Sequence, residues 1–154
     1  MRDTVFFTFF AVKPITPLES SAMPLHPLLA RALRRHRLIR FFNSLSESTR
    51  NDFDHFIRSV KKEDTRLRRV QQTIELLAET MEAELDPPPL LTSAFARNPK
   101  ARQGWDLMPQ SLRRQYLIAI FRSRFPETRA HYLERTLLES SQYAESHGGG
   151  TKQT

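Results

Sequence analysis

The sequence has no cysteine among its 154 residues, and this absence excludes disulfides, thiolate metal sites and thiol nucleophiles. Glycine is nearly as scarce, because the chain has four, of which one is Gly104 and three form the run 148–150. A phosphate-binding loop of the Walker or dinucleotide type needs several glycines in one loop after a strand. The sequence therefore contains no such loop, and we expect no cofactor.

Side chains for catalysis or metal binding are not arranged in a recognisable pattern either. No two histidines have the i, i+4 spacing of a zinc-binding helix, and no serine lies in a Gly-x-Ser-x-Gly sequence. Glu47, Asp52 and Asp54 lie at the predicted start of a helix, where the helix dipole already favours acidic residues. We therefore predict no catalytic, cofactor-binding or metal-binding residues and no enzyme activity. The histidines are His26, His36, His55, His131 and His147.

The chain is strongly basic, with a formal net charge of +7 and a pI near 10.4. This sign favours contact with nucleic acid, acidic proteins or anionic surfaces. Hydrophobic residues make up 39% of the chain, which is enough for a buried core, and charged residues make up 27%. Such a composition indicates that the protein is not an integral membrane protein.

Residues 1–26 form a predicted N-terminal extension, an apolar arm followed by a proline-rich linker. The apolar run, residues 4–12, is much shorter than the roughly 20 residues of a membrane-spanning helix. It is also a poor secretory signal, since the charges of Arg2 and Asp3 cancel. Three interpretations stay open: a short strand, an arm docked on the helices, or an extension upstream of a true start at Met23. We predict a cytoplasmic protein, which the absence of cysteine fits.

The clearest feature of the sequence is an internal repeat, since residues 45–79 match residues 108–142 without a gap. Matching positions are 63 residues apart, as Thr65 and Thr128 are. The apolar positions coincide, and so do several polar ones. This self-similarity predicts a duplicated helical unit. The matched pairs include Phe42 and Trp105, Ser48 and Ser111, Arg50 and Arg113, Phe53 and Tyr116, Ile57 and Ile120, Val70 and Leu133, and Thr73 and Thr136.

In the first unit, residues 27–86, apolar residues recur at the spacing of three helices. The first helix is predicted from residue 27 to residue 42. The second begins after the N-cap Ser46, and the third continues from residue 63 to residue 86. Three consecutive prolines at 87–89 forbid its continuation and mark the boundary between the units.

The second unit, residues 87–145, repeats this pattern with local differences. Asn98-Pro99 inserts a turn that the first copy lacks, and Trp105 replaces Phe42 as a core anchor. The polar residues 146–154 are predicted to be a disordered tail. The predicted fold class is all-α, with about six helices arranged as two tandem three-helix units packed into one bundle-like domain.

Nine arginines are candidate residues for binding an anion or a partner. The first predicted helix carries arginines and no acid on its polar face, which favours phosphate contacts. The alternative is a solvated face whose arginines pair with acids elsewhere, such as Asp52 and Asp54. The third helix has arginines near its start and glutamates toward its end, against the preference of the helix dipole, although Glu63 and Asp64 can pair with those arginines. The candidates are Arg34, Arg35 and Arg37 in the first helix, Arg66, Arg68 and Arg69 in the third, and Arg113, Arg114 and Arg129 in the second unit.

Two series of residues, one in each copy, carry a resemblance to a known family. The second copy has Ser111, Arg113-Arg114, Tyr116, Ile120 and Pro126-Glu127-Thr128-Arg129. The first copy has Ser48, Phe53, Ile57, Lys61-Lys62, Thr65-Arg66 and Arg68-Arg69-Val70. On these motifs the chain resembles the C-terminal helical module of the bacteriocin-protection, YdeI or OmpD-associated family, in two divergent copies.

The resemblance implies an all-helical bacterial protein, tied by name to protection against bacteriocins or cationic peptides and to an outer-membrane porin partner. It brings no catalytic residues, and it implies the periplasm as the alternative location. We therefore expect a non-enzymatic stress- or envelope-protection protein that acts through contacts with an unidentified protein partner, which is envelope-associated by this resemblance. The alternative is a nucleic-acid-binding protein that uses the arginine-rich helix faces. The oligomeric state stays open.

Overall fold

Eight α-helices and a closing 3₁₀ turn form the part of the chain that the computed structural model describes, residues 24–150, and this part contains no strand. The first copy contains α1 (Pro27–Arg35), α2 (Ile39–Asn43), α3 (Glu47–Arg58) and α4 (Glu63–Leu85); the second contains α5 (Pro89–Arg97), α6 (Pro99–Leu107), α7 (Gln110–Arg122) and α8 (Pro126–His147). The all-α class is confirmed, but the expected number of about six helices is wrong. The predictions made for residues 1–23 and 151–154 lie outside the described residues.

The first predicted helix is two helices, because the chain turns sharply between α1 and α2. α1 ends in a Schellman motif, in which the Leu38 N–H donates to the Leu33 carbonyl at 2.8 Å. The Arg37 N–H donates to the Arg34 carbonyl at 3.1 Å. Arg37 has the left-handed conformation, with φ of 59°, at a position where glycine is usual. The turn allows both Leu33 and Leu38 to be buried in the core.

The corresponding break in the second copy separates α5 from α6. Asn98 ends α5 and is the N-cap of α6, where its side-chain oxygen accepts a hydrogen bond from the Ala101 N–H at 3.0 Å. Pro99 occupies the first position of α6, where its missing N–H removes no helical bond. The prediction that the first copy lacks this turn is wrong, since both copies turn here and only the chemistry of the turn differs.

The structure repeats along with the sequence. α3 and α7 begin 63 residues apart, and so do α4 and α8. The rings of Phe42 and Phe53 have centroids 6.2 Å apart and planes inclined at 51°. The matching rings of Trp105 and Tyr116 are 6.4 Å apart and inclined at 52°. Each copy is therefore built around the same aromatic contact, and Trp105 is buried as the sequence predicted.

The two copies meet where α4 packs against α7. Ile118 of α7 belongs to the core of the first copy, and Ala83 of α4 belongs to the core of the second. Glu84 near the end of α4 pairs with Arg114 near the start of α7. The two helices therefore lie antiparallel, and the two copies share buried surface rather than standing apart.

The last helix extends past residue 145, the predicted end of the second unit. The Tyr143 and His147 rings stack with centroids 3.9 Å apart, and Glu145 forms an ion pair with Lys100. A 3₁₀ turn then covers Gly148–Gly150. Residues 146–150 are therefore helical rather than disordered, because these side-chain contacts extend α8 beyond its last buried residue.

Gly104 allows α6 and α8 to approach each other closely. A Cβ atom at this position would lie 1.6 Å from the carbonyl oxygen of Ser140 and 2.6 Å from its carbonyl carbon. Both atoms belong to the backbone of α8, so a side-chain rotation cannot relieve the overlap. Only glycine fits at this crossing.

We expect Gly104→Ala to lower the free energy of unfolding by about 2 kcal/mol or more, because α8 must move to admit the methyl group. Equilibrium unfolding in urea measures the change. Gly149→Ala is the matched control, since no atom lies within 4 Å of a Cβ built there. Equal stability of the Gly104→Ala variant and the unmodified chain would contradict the close approach.

Candidate functional site

The arginines of the first predicted helix lie on an exposed surface at the end of α1. Arg34, Arg35 and Arg37 are exposed, and none forms an ion pair within residues 24–150. Asp54, one of their expected partners, instead accepts bonds from the Arg58 Nε at 2.5 Å and the His26 N–H at 2.8 Å. The pairing alternative is therefore wrong for Asp54, and this arginine surface faces solvent.

Arg66 and Arg129 occupy matching positions in the two copies, and each stabilises the turn before a long helix. The Arg66 Nη2 donates to the carbonyl oxygen of Val60 at 2.5 Å, and the Arg129 Nη2 donates to that of Ser123 at 3.0 Å. Both acceptors follow the C-terminus of a helix, where carbonyl groups lack helical partners. Arg66 also pairs with Glu63 at 2.8 Å, as the sequence predicted.

Arg114 joins the two copies. It forms the ion pair with Glu84, and the two side chains are only 15% and 11% exposed. Its Nη1 donates to the Ser44 hydroxyl at 2.7 Å, and its guanidinium carbon lies 4.7 Å from the centroid of the Phe41 ring. All of these contacts are made to residues of the first copy, so Arg114 joins the two copies.

Arg113 is a half-buried residue whose Nε is buried without a hydrogen-bond partner in the described part of the chain. The matching Arg50 of the first copy has the same environment, with its Nε also buried and unbonded. Buried stems at equivalent positions indicate that both side chains pack against the helices with their aliphatic parts.

The remaining candidates, Arg68 and Arg69, line a cleft between the two copies together with Arg129. The cleft has a volume of about 740 Å³ and lies between α3 and α4 on one side and the α7–α8 connection on the other. Arg122 and Arg124 line it too, so five arginines surround one space. Arg122 and Arg124 were not among the predicted candidates, although they form an Arg-x-Arg sequence just before α8.

Aromatic side chains from both copies form part of the cleft lining. Phe53 is buried, and Phe56 and Phe121 are half-buried. The guanidinium of Arg69 lies 4.4 Å from the Phe56 ring centroid, and that of Arg122 lies 5.4 Å from the Phe53 centroid. Stacking of this kind orients a guanidinium, and the Arg69 Nη1 also donates to the Phe56 carbonyl at 2.7 Å and to the Ser59 hydroxyl at 2.8 Å.

Two acidic residues also line the cleft, and both lie further along α4. Glu75 accepts a hydrogen bond from Gln71 at 2.9 Å, and Glu79 is exposed. None of the five cleft arginines forms an ion pair with a carboxylate of residues 24–150. The described residues therefore leave an excess of positive charge in the cleft, which suits a carboxylate or a phosphate.

Tyr116 has a strongly shifted pKa but lies outside the cleft. Burial, and then its hydrogen bond to the Glu139 carboxylate, raise the pKa of Tyr116 to about 12. The same bond, together with that from Arg135, lowers the pKa of Glu139 below its usual range. With these shifts in pKa, Tyr116 stays protonated and Glu139 stays ionised near neutral pH. The cluster therefore connects α7 to α8 rather than transferring protons.

The described residues offer neither a metal site nor a membrane-spanning element. Within residues 24–150 no three His, Asp or Glu side chains are grouped so that they could hold a metal ion. No helix in the same part of the chain is both long and apolar enough to cross a bilayer.

Comparison with known proteins accounts for the repeat. A family model described as Bacteriocin-protection, YdeI or OmpD-Associated matches the chain twice, at residues 22–80 and at residues 84–142. The chain belongs to this family, and the resemblance and the duplication inferred from the sequence are both confirmed. A search of curated proteins and a search of solved structures gave no match.

We expect Arg66→Met and Arg129→Met each to lower the free energy of unfolding by about 1.5–3 kcal/mol, because each removes a charged donor from an otherwise unbonded carbonyl. The loss should be larger for Arg66→Met than for Arg129→Met, since Arg66 also pairs with Glu63. The control is Arg68→Met, at an exposed residue, for which we expect the free energy of unfolding to change by no more than about 0.5 kcal/mol. Equal losses for all three variants in urea unfolding would contradict the structural role of the matched pair.

A second prediction concerns pH. Because the folded pKa of Tyr116 is about 12 and its ordinary value is 10.0, the stability that it contributes is present below pH 10 and is lost as the pH rises through 12. Phenolate absorbance should show a transition near pH 12. Tyr116→Phe should remove the late transition, and Tyr132→Phe should leave it in place. A late transition that survives Tyr116→Phe would refute the assignment.

Proposed function

We propose that this protein is a non-enzymatic binding protein that holds an acidic partner protein in the cleft between its two copies. The observation that supports this function is the set of five arginines around one cleft, none of them paired with a carboxylate of residues 24–150. A guanidinium can bind a carboxylate through two parallel hydrogen bonds, which provides orientation as well as affinity. The family description suggests a role in bacterial stress or envelope protection, in which such binding would act.

Features of the cleft favour a protein over a nucleic acid. Glu75 and Glu79 would repel a continuous row of phosphates, whereas a protein surface carries charges of both signs. The half-buried Phe56 and Phe121 of the cleft offer contact to apolar side chains. Phe125, directly after Arg124, is 71% exposed. Arginine and aromatic residues together are enriched in the energetically important parts of protein interfaces.

The proposed role requires no catalytic group, in keeping with the sequence, in which no catalytic pattern is recognised. A cytoplasmic location, which the cysteine-free sequence fits, remains a prediction with the periplasm as its alternative. An envelope-associated partner is the choice that the family description favours.

Nucleic-acid binding is the second candidate function, and the surface of α1 and α2 favours it. This surface carries exposed arginines without an ion pair in the described residues. Each contact between such an arginine and a phosphate releases counterions and so raises affinity at low salt. The residues concerned are Arg31, Arg34, Arg35, Arg37 and Arg40.

Two double charge reversals of equal size separate the candidates. Arg68→Glu with Arg124→Glu alters the cleft, and Arg34→Glu with Arg35→Glu alters the α1 surface. The probes are a labelled peptide of glutamate and phenylalanine, and labelled mixed-sequence DNA and RNA duplexes, titrated by fluorescence anisotropy across salt concentrations. We expect the cleft variant to weaken peptide binding by about tenfold or more, and the α1 variant to change it little, because only the first two arginines line the cleft in which the peptide is proposed to bind.

All four arginines are exposed, so both variants should stay folded, with the α1 variant slightly less stable because it places glutamates at the C-terminus of a helix. Peptide binding that survives the cleft reversal would contradict the proposal. Tight, salt-sensitive duplex binding that only the α1 reversal abolishes would replace it with the second candidate.

A further inference from the structure

The charges on the α4 wall of the cleft are sorted along the helix. The α4 residues that line the cleft recur at helical spacing and so form one stripe. Arg68 and Arg69 lie toward the N-terminal end of this stripe, and Glu75 and Glu79 lie toward the other. From Arg68 to Glu79 the helix rises about 16 Å, at roughly 1.5 Å per residue.

The opposite wall adds the positive charge of Arg122, one turn of α3 away from Arg69. Arg69 stacks on Phe56 and Arg122 stacks on Phe53, and these two rings are one turn apart on α3. α7 lies antiparallel to α4 and ends at Arg122, eight residues after Arg114, so Arg122 lies beside the middle of α4. The sorted charges are therefore those of the α4 wall, which gives the cleft an arginine end and a glutamate end.

The stability of α4 does not account for this order of charges. The helix dipole favours acids near an N-terminus and bases near a C-terminus, which is the opposite arrangement. Glu63 pairs with Arg66 at the start of the helix. Arg68 and Glu79 form no ion pair within residues 24–150, so in the described structure their charges remain available to a partner.

We infer that the cleft takes an amphipathic helix of the partner protein, with its acidic end against the arginines and its basic end against Glu75 and Glu79. This inference rests on the proposed function and specifies the class of partner. The cleft walls are helices whose backbone groups are already bonded, so an extended peptide would leave its own backbone without partners. A helix bonds its backbone internally, and about 16 Å corresponds to three helical turns.

Three peptides of about 14 residues with the same apolar stripe test the inference. The sorted peptide carries glutamates in one half and lysines in the other. The mixed peptide has the same composition with the two charges interspersed, and the acidic peptide has glutamates throughout. Side-chain staples make the three peptides equally helical, and circular dichroism verifies that they are. We expect the full chain to bind the sorted peptide about tenfold more tightly than the mixed one, because only the sorted peptide matches both ends of the cleft.

Reversal of the glutamate end provides a second, independent readout. Glu75→Lys with Glu79→Lys should weaken binding of the sorted peptide and strengthen binding of the acidic peptide, each by about tenfold. The control is Glu82→Lys with Glu134→Lys, which makes the same charge change at exposed residues that do not line the cleft. It should change the affinity for either peptide much less than the reversal in the cleft does, because screening by salt weakens the effect of charges outside the site.

The outcomes separate this inference from the proposed function. If the sorted and mixed peptides bind equally well, and Arg68→Glu with Arg124→Glu weakens both, the sorted-charge inference is overturned and the cleft keeps its proposed role. If no peptide depends on those two arginines, the proposed function itself fails. The comparison of the sorted and mixed peptides uses the unmodified chain, so it does not depend on the folding of any variant.

Discussion

The antiparallel packing of α4 against α7 is the contact on which the rest of the structure depends, because it makes one cleft out of two copies. Each helix enters the core of the other copy, through Ile118 and Ala83. The mostly buried pair of Glu84 and Arg114 sets the alignment of the two helices. Since desolvation offsets much of the attraction in such a pair, we infer that it serves alignment more than stability. A displacement of one helical turn would carry Arg122 away from Phe53 and so change the lining of the cleft.

The duplication explains which matched residues are architectural. The aromatic pairs, the arginines that bond the preceding turn and the buried threonines all recur with the same contacts in both copies. The cleft is asymmetric, because one wall is α4 of the first copy and the other is the α7–α8 connection of the second. The proposed function therefore relies on positions at which the copies differ, such as Arg68 and Arg69, which match His131 and Tyr132.

The sequence was sufficient where local chemistry decides the structure. The N-cap Ser46 and the prolines at 87–89 bound helices as predicted, and the 63-residue repeat paired the right aromatic positions. The turn at Arg37 could not be predicted, because an arginine in the left-handed position of a Schellman motif lacks the signal that a glycine provides. Arg122 and Arg124 could not be assigned to the cleft, since their nearness to the α4 arginines depends on tertiary packing. The sequence also did not show that Arg66 and Arg129 bond backbone carbonyls, because those bonds depend on how the preceding turns fold.

Backbone amide NMR of the full 18.0 kDa chain, titrated with the sorted-charge peptide, tests most directly whether the cleft between the copies is the binding surface. The account predicts shift changes concentrated in residues 53–56, 65–79 and 121–129, which line the cleft from both copies. The amides of residues 27–40, on the α1 surface, should stay unchanged. Changes confined to residues 27–40, with the cleft amides unaffected, would contradict it.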